Sequence, residues 1–222
     1  MKISILTLFP EMFDGFKNSS IIKRAIDKNI LDIEVINIRD FSTLNNKQVD
    51  DTPYGGGAGM VMRVDIVYDA IESVRTPESK VYLMSPAGKV FNQGIAKELS
   101  SFKHLILVCG HYEGIDDRIT NFIDGEISIG DYILTGGELA SMVITDAVTR
   151  LVDGVITKES LDDESFNDDL LDYPTFTRPF EFKGYKVPDV LISGHHENIN
   201  KWRMEERIKR TEERRPDLKD NK

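Results

Sequence analysis

Short runs of isoleucine, valine and leucine alternate along the chain with stretches in which apolar residues recur at helical spacing. The apolar runs predict five β-strands, and the amphipathic stretches between most of them predict five helices. The predicted strands are residues 2–8, 32–38, 80–84, 104–109 and 126–129, and the predicted helices are residues 19–29, 64–75, 92–100, 115–123 and 136–152. Strands that alternate with helices indicate an α/β fold, in which helices cover both faces of a mainly parallel sheet.

Three of these predicted strands end beside small or glycine-rich segments. Ser85-Pro86, Gly110 and Gly130-Asp131 follow the third, fourth and fifth strands. Parallel sheets bind ligands beyond the carboxyl ends of their strands. The three termini therefore predict a single ligand crevice.

The junction between the last strand and the last helix is the most informative of the three. A glycine-flanked turn exposes main-chain N–H and C=O groups, so a flat ligand can lie against the backbone. No lysine or arginine occurs between Ile129 and Ala140, whereas Asp131 and Glu138 are acidic. This argues against a triphosphate site and favours a neutral or positive ligand, such as an adenosyl group carrying a sulfonium. Thr135 and Glu138 have the spacing of a capping box, which predicts a helix start.

A second unusual segment contains four glycines in the five positions from Gly55 to Gly59. It lacks the Gly-Lys-Ser/Thr ending of a phosphate-binding loop and follows no apolar strand directly, so that motif is rejected. The glycines indicate either a mobile cover for the crevice or a backbone that packs very closely against a neighbour. For His111 a surface or hydrogen-bonding role is expected, and His195-His196 has no partner ligands at metal-binding spacing, so no metal site is predicted.

Composition narrows the class of protein. The net charge of −10 over 222 residues argues against nonspecific coating of nucleic acid, although a local basic patch stays possible. Cys109 is the only cysteine, which excludes an intrachain disulfide, and its place after an apolar run predicts a buried thiol. The N-terminal apolar run is too short for a signal peptide and no stretch approaches a membrane span, so a cytoplasmic enzyme without a membrane partner is expected.

The last third of the chain changes character. Residues 159–172 contain seven carboxylates and no basic residue, which predicts a mobile linker between a domain of residues 1–158 and a C-terminal domain of residues 173–222. A charged helix is predicted from about Glu197 to Arg214, with six cations and four glutamates among residues 201–214. The pairs Glu205/Lys209 and Glu206/Arg210 are typical of a solvated helix. The excess of cations equally fits a nucleic-acid contact surface.

Five segments in order along nearly the whole chain resemble motifs of the bacterial tRNA (guanine-N1)-methyltransferase family, the TrmD type. They are Phe9-Pro10-Glu11-Met12-Phe13, the run from Asp50 to Met60, the run from Cys109 to Asp116, the run from Ser128 to Glu138, and Thr177-Arg178-Pro179. The family belongs to the SPOUT class of methyltransferases. The resemblance implies a parallel sheet with a deep trefoil knot, a small mainly helical C-terminal domain, and a homodimer.

The resemblance also implies that S-adenosyl-L-methionine binds in the crevice. The residues that match the family's cofactor contacts are Leu83, Ser85, Pro86, Gly110, Ile129, Gly130, Asp131, Tyr132, Ile133, Leu134, Gly136 and Gly137. The implied substrate is tRNA with guanine just 3′ of the anticodon. The implied reaction methylates N1 of that guanine.

Methylation at guanine N1 needs a general base, because the lone pair becomes available only as the N1 proton leaves. By resemblance the base is Glu164, just before Ser165-Phe166, where aspartate is commoner in the family; Asp163 takes the role if the register shifts. Arg150 matches a family arginine that assists guanine O6 or the base, and it would also complement a helix C-terminus. The family's sites form between two subunits, so Glu164 is expected to serve the cofactor of the partner chain.

Two other functions give different expectations. A dinucleotide-dependent oxidoreductase needs a G-x-G-x-x-G turn after the first strand, and residues 8–11, Leu-Phe-Pro-Glu, offer none. A noncatalytic RNA-binding protein on the same scaffold stays open. Binding of S-adenosyl-L-methionine separates it from the methyltransferase.

Overall fold

Five strands form one fully parallel sheet in the N-terminal part of the chain. The strands of this part are β1 (Lys2–Thr7), β2 (Asp32–Asn37), β3 (Asp50–Asp51), β4 (Val61–Met62), β5 (Ser79–Val90), β6 (His104–Cys109) and β7 (Gly125–Ser128). The central sheet has the order β2-β1-β6-β5-β7, whereas β3 and β4 form a separate antiparallel pair. The parallel sheet predicted from the alternation of elements is therefore confirmed.

The computed structural model describes residues 1–157, 164–166 and 168–220. These divide into two compact units, Met1–Ile156 and Thr157–Lys222. The helices of the first unit are α1 (Asp14–Lys17), α2 (Ser20–Asp27), α3 (Val64–Val74), α4 (Gln93–Ser100) and α5 (Glu138–Leu151). Among the residues described, no helix has the length and hydrophobicity that crossing a membrane requires.

Alternation along the buried strands gives the first unit two cores, one on each face of the sheet. Ile3, Ile5, Leu105 and Leu107 belong to the core that includes residues of α2, α4 and α5. Leu6, Ile106 and Val108 belong to the second core, which includes α3. Because successive strand side chains point to opposite faces, a strand that is apolar throughout must be covered on both sides. Helices on both faces are thus confirmed.

The structure corrects two predicted elements. Residues 115–123 form a short 3₁₀ helix, Asp117–Phe122, where an α-helix was predicted. Strand β5 continues past residue 84 to Val90, and both Met84 and Lys89 align with Ile127 of β7, so the residues between them bulge out of the sheet. Gly88 lies in this bulge, where a Cβ atom would come within 2.4 Å of the backbone of Glu126 and Ile127.

A buried histidine ties three strands together at the amino ends of the sheet. His104 is 4% exposed, and its Nε2 lies 2.9 Å from Ser4 Oγ of β1 while its Nδ1 lies 2.7 Å from Ser79 Oγ of β5. Burial lowers the pKa of His104 below its ordinary value, with a smaller contribution from the charge of Lys2. The imidazole is therefore held in its neutral form.

The second unit contains a hairpin and a long helix. The hairpin strands are β8 (Glu181–Phe182) and β9 (Tyr185–Lys186), and the helices are α6 (His196–Arg214) and α7 (Asp217–Asp220). Helix α6 confirms the predicted charged helix. Arg207 of α6 forms an ion pair with Asp168 of the preceding segment, a contact that the predicted pairs Glu205/Lys209 and Glu206/Arg210 did not include.

Candidate active site

A cavity of about 340 Å³ opens at the carboxyl ends of β5, β6 and β7. Its lining is dominated by glycines, small polar residues and apolar side chains. The lining residues are Met84, Ser85, Pro86, Gly110, His111, Tyr112, Glu113, Gly114, Ile127, Ser128, Ile129, Gly130, Tyr132, Ile133, Leu134, Thr135, Gly136, Gly137 and Ala140. The single crevice predicted from three strand termini is therefore present.

Most of the residues assigned to the cofactor by resemblance line this cavity. They are Ser85, Pro86, Gly110, Ile129, Gly130, Tyr132, Ile133, Leu134, Gly136 and Gly137. Leu83 and Asp131 do not line it. Leu83 is 7% exposed and belongs to the core on the α3 face, whereas Met84 belongs to the opposite core and lines the cavity. The alternation of strand side chains explains this difference. Asp131 is exposed to solvent.

Two glycines let the chain come close enough to form the cavity wall. The N–H of Gly137 donates a hydrogen bond of 2.9 Å to the carbonyl oxygen of Gly110, and a Cβ atom at Gly137 would lie 2.8 Å from the Cα of Cys109. Gly130 has a φ of +144°, and a Cβ atom there would lie 2.6 Å from the ring of Tyr132. A side chain at Gly137 would meet backbone and one at Gly130 would require a strained φ, so the wall is bare main chain at these two positions.

The start of helix α5 differs from the prediction. The N-cap is Gly137, without a side-chain cap, so the capping box between Thr135 and Glu138 is wrong. Glu138 is instead the first helical residue, 2% exposed, and its Oε1 accepts a hydrogen bond of 2.7 Å from Thr7 Oγ1. The Thr7 hydroxyl accepts the N–H of Phe9 at 2.9 Å. A carboxylate at this position also interacts favourably with the helix N-terminus.

His111 connects this buried carboxylate with the cavity. Its Nε2 lies 3.7 Å from Oε2 of Glu138, too long for a hydrogen bond but close enough for an electrostatic contact. The imidazole packs against the ring of Phe9, with ring centroids 4.8 Å apart. A Cβ atom at Gly136 would lie 2.6 Å from His111 Nε2. The sequence indicated a hydrogen-bonding or surface role for this histidine, but it gave no sign that Glu138 and Thr7 are its neighbours.

The glycine-rich loop between β3 and β4 reaches the cavity rim. A Cβ atom at Gly59 would lie 2.4 Å from Cγ of Glu113, whose backbone N–H donates to the carbonyl oxygen of Met60 at 3.0 Å. Gly55 and Gly56 have open space around them and φ values of +86° and +78°. Of the two explanations for the glycines, close packing thus holds at Gly59. The other three glycines, including Gly57 with a φ of +134°, give the turn its positive φ angles.

The side chains that line the cavity carry little charge. Among its described lining residues there is no lysine or arginine, and Glu113 is the one carboxylate. Cys109 lies just behind the wall, fully buried, with its Sγ 3.1 Å from Ser141 Oγ. Burial raises the pKa of the Cys109 thiol, so it stays protonated, which confirms the buried thiol predicted from the sequence. This lining suits a ligand that is neutral or carries a positive charge.

The two residues assigned to catalysis lie in different units. Arg150 is partly exposed in the last turn of α5 in the first unit. Glu164 is partly buried in the second unit, just before Ser165. Asp163, the alternative base, lies outside the described residues. The roles of Arg150 and Glu164 stay predictions.

Comparison with known proteins agrees with these features. Residues 1–221 match the sequence profile of the family described as tRNA (Guanine-1)-methyltransferase TrmD. A tRNA (guanine-N(1)-)-methyltransferase of Malacoplasma penetrans is 57% identical over 218 residues, covering 98% of this chain and 96% of the relative. The enzyme of the same name from Clostridium perfringens strain SM101 is 58% identical over 220 residues, covering 98% and 93%. The chain therefore belongs to the TrmD family of tRNA (guanine-N1)-methyltransferases.

Proposed function

We propose that this chain transfers a methyl group from S-adenosyl-L-methionine to N1 of the guanine immediately 3′ of the anticodon in tRNA. The observation that carries the proposal is the glycine-walled cavity at the strand ends, built from the segments whose motifs match the family. The name that the relatives carry specifies guanine N1 of tRNA. Because tRNA is the substrate, we place the reaction in the cytoplasm.

The cavity residues suit the proposed donor. Bare main chain at Gly130, Gly136 and Gly137 would receive a flat purine, and Glu113 at the rim would favour the positive end of the ligand. The absence of lysine and arginine among the described lining residues avoids repulsion of a sulfonium. When bound, S-adenosyl-L-methionine would supply an electrophilic methyl group. The chain's own contribution is to hold and orient it, through the cofactor residues assigned by resemblance, Leu83 and Asp131 included.

Proton removal is the second requirement. In the proposed reaction the carboxylate of Glu164 accepts the N1 proton of the guanine, and the electron pair of that N–H bond becomes the nucleophile. Negative charge then grows on the neighbouring O6, which the guanidinium of Arg150 stabilises. Proton transfer to a positioned carboxylate contributes typically about 10²- to 10⁴-fold to such a rate.

The proposed quaternary structure is the homodimer of the SPOUT class, with Glu164 of one chain serving the cavity of the other. Apolar side chains exposed near the cavity support it: Ile133 is 81% exposed, and Leu139 and Val143 of α5 are 51% and 48% exposed. An apolar surface of this kind is typical of an interface. The deep knot is proposed on the same family grounds.

The C-terminal unit is proposed to bind the tRNA, with residues 159–172 as the linker and 173–222 as the binding domain. Its hairpin exposes Phe182 and Tyr185, at 63% and 82%, next to Lys183 and Lys186. Exposed aromatic rings beside cations are suited to stacking on unpaired bases and pairing with phosphates. Helix α6 adds further cations.

A methyl-transfer assay with labelled S-adenosyl-L-methionine tests the proposal. Two tRNA transcripts that differ only in guanine or adenine 3′ of the anticodon are compared. We expect label in the first transcript only, and loss of about 10²-fold or more with Glu164→Gln at unchanged cofactor affinity. Equal labelling of both transcripts, or none with either, would contradict the proposal. Calorimetry showing tRNA binding without cofactor binding would favour the noncatalytic RNA-binding protein instead.

A further inference from the structure

The segment that follows Glu164 is held to helix α6 by a charge pair between the buried Arg207 and Asp168, whose side chain is half exposed. The guanidinium of Arg207 donates two parallel hydrogen bonds to the carboxylate of Asp168, one of them 2.9 Å from Nη1 to Oδ2. Arg207 is only 8% exposed, although it belongs to a helix rich in solvated cations. A two-pronged arginine–carboxylate pair fixes orientation as well as distance. The side chain of Arg207 therefore contacts other residues of its own chain rather than solvent.

A second fastening lies one helical turn further along. Thr211 is fully buried, and its hydroxyl accepts the backbone N–H of Leu171 at 2.9 Å. Nε of Arg207 donates to the carbonyl oxygen of Leu171 at 3.3 Å, so the helix binds both backbone groups of that residue. One turn beyond Thr211, the guanidinium of Arg215 lies over the ring of Phe166, 5.8 Å from its centroid. Arg207 and Thr211 share one face of α6 because they are four residues apart, and Arg215 directly follows the helix.

The fastened segment also closes on itself. The N–H of Asp172 donates to Ser165 Oγ at 2.9 Å, and the N–H of Phe166 donates to the carbonyl oxygen of Leu170 at 2.9 Å. Phe166 has a φ of +71°, which a bulky residue adopts only where its surroundings hold it. The loop begins directly after Glu164, so a shift of the loop on α6 would move that carboxylate.

We propose that Arg207 and Asp168 are positioning residues for methyl transfer, because their pair holds the loop that carries Glu164 against the tRNA-binding helix. The inference rests on the proposed role of Glu164 as the base. A base acts only within hydrogen-bond reach of the proton it removes, and a displacement of about 1 Å can cost on the order of 10²-fold in rate. The pair therefore links tRNA binding by α6 to the placement of the base.

The test compares two neighbouring carboxylates. Asp168→Asn removes the charge that Arg207 binds, whereas Asp169→Asn makes the same change one residue later, where the φ of +61° suits asparagine. With cofactor and tRNA saturating, we expect kcat to fall about tenfold or more in Asp168→Asn and to stay within about twofold in Asp169→Asn. Cofactor affinity, measured by calorimetry, stays unchanged in both. Asp168→Glu restores part of kcat.

A double variant shows whether the pair acts as a unit. We expect Arg207→Gln to lower kcat as Asp168→Asn does, and Asp168→Asn with Arg207→Gln to lower it no further than either single change. Equal kcat in the two asparagine variants, or additive losses in the double variant, would overturn the inference. If Arg207→Gln does not fold, the comparison of Asp168→Asn with Asp169→Asn still decides. A wild-type chain that methylates no tRNA would instead refute the proposed function itself.

Discussion

At the residue scale, the wall of the cavity depends on positions where a hydrogen atom replaces a side chain. Gly137 is the least tolerant of them, because its neighbours are backbone and Cβ atoms: Cα of Cys109, Cβ of Met84 and the N of Gly110 would lie 2.8, 3.0 and 3.1 Å from an added Cβ atom. Such atoms cannot rotate away, as the end of a flexible side chain can. An added methyl group must therefore displace a strand end.

Gly137→Ala is accordingly expected to weaken cofactor binding. Overpacking costs about 1–3 kcal/mol, which is roughly tenfold or more in affinity when the strain falls on the binding wall. The matched control is Gly15→Ala in α1, where a Cβ atom meets nothing within 4 Å. Calorimetric titration with S-adenosyl-L-methionine measures both. Equal affinities in the two variants would mean that the wall at Gly137 is not part of the binding site.

The buried carboxylate of Glu138 gives a second prediction at this scale. Glu138→Ala leaves the Thr7 hydroxyl, which already accepts the N–H of Phe9, without its acceptor. We expect a loss of about 1–3 kcal/mol in the free energy of unfolding, measured by urea denaturation. Glu98→Ala on the exposed side of α4 should change it by less than about 0.5 kcal/mol. A Glu138→Ala variant as stable as this control would argue against the network.

At the scale of elements, periodicity predicted most of the sheet and helices because burial of apolar side chains follows the local repeat. The amphipathic stretch 64–75 became helix α3, Val64–Val74, without any knowledge of its neighbours. The features that the sequence did not predict depend on contacts between residues far apart in the chain. The extension of β5 depends on pairing with β7, and the environment of Glu138 depends on a threonine 131 residues away. The sequence showed an acidic residue, Glu138, near the start of a helix, but it could not show that Thr7 contacts and helps to bury this residue.

His104 makes the sheet itself sensitive to acid, since it joins β1, β5 and β6 in a neutral, buried state. Its pKa is lower in the folded chain than the ordinary 6.5 of the unfolded one, so unfolding takes up a proton as the pH falls below about 6.5. Stability is therefore expected to decline from that pH downward. Melting temperatures are measured from about pH 7.5 down to about pH 5, a range that spans the ordinary histidine pKa of about 6.5. Over this range the melting temperature should fall more in the wild type than in His104→Gln. His195→Gln, at an exposed site, should retain the wild-type dependence.

At the scale of the whole molecule, the residues proposed for binding and catalysis belong to two separate units. The cavity and Arg150 belong to Met1–Ile156, whereas Glu164 and its fastening on α6 belong to Thr157–Lys222. The cavity could be predicted from the sequence because its strand ends carry a local glycine signature. The burial of Arg207 could not be predicted, because its sequence context is that of a solvated helix. Its pairing with Asp168 and its 8% exposure distinguish it from the neighbouring cations.

The proposed dimer turns this division into a complementation experiment. If Glu164 serves the cavity of the partner subunit, a mixed dimer of a Glu164→Gln chain and a Gly137→Ala chain contains one site with an intact cavity and an intact base. Two-fold symmetry then puts both defects in the other site. We expect co-expressed, differently tagged chains to yield mixed dimers with roughly half the wild-type rate of methyl transfer, measured at a cofactor concentration where each parent dimer is nearly inactive. If the base served its own subunit's cavity, each site would carry one defect, and the mixed dimer would be as inactive as its parents.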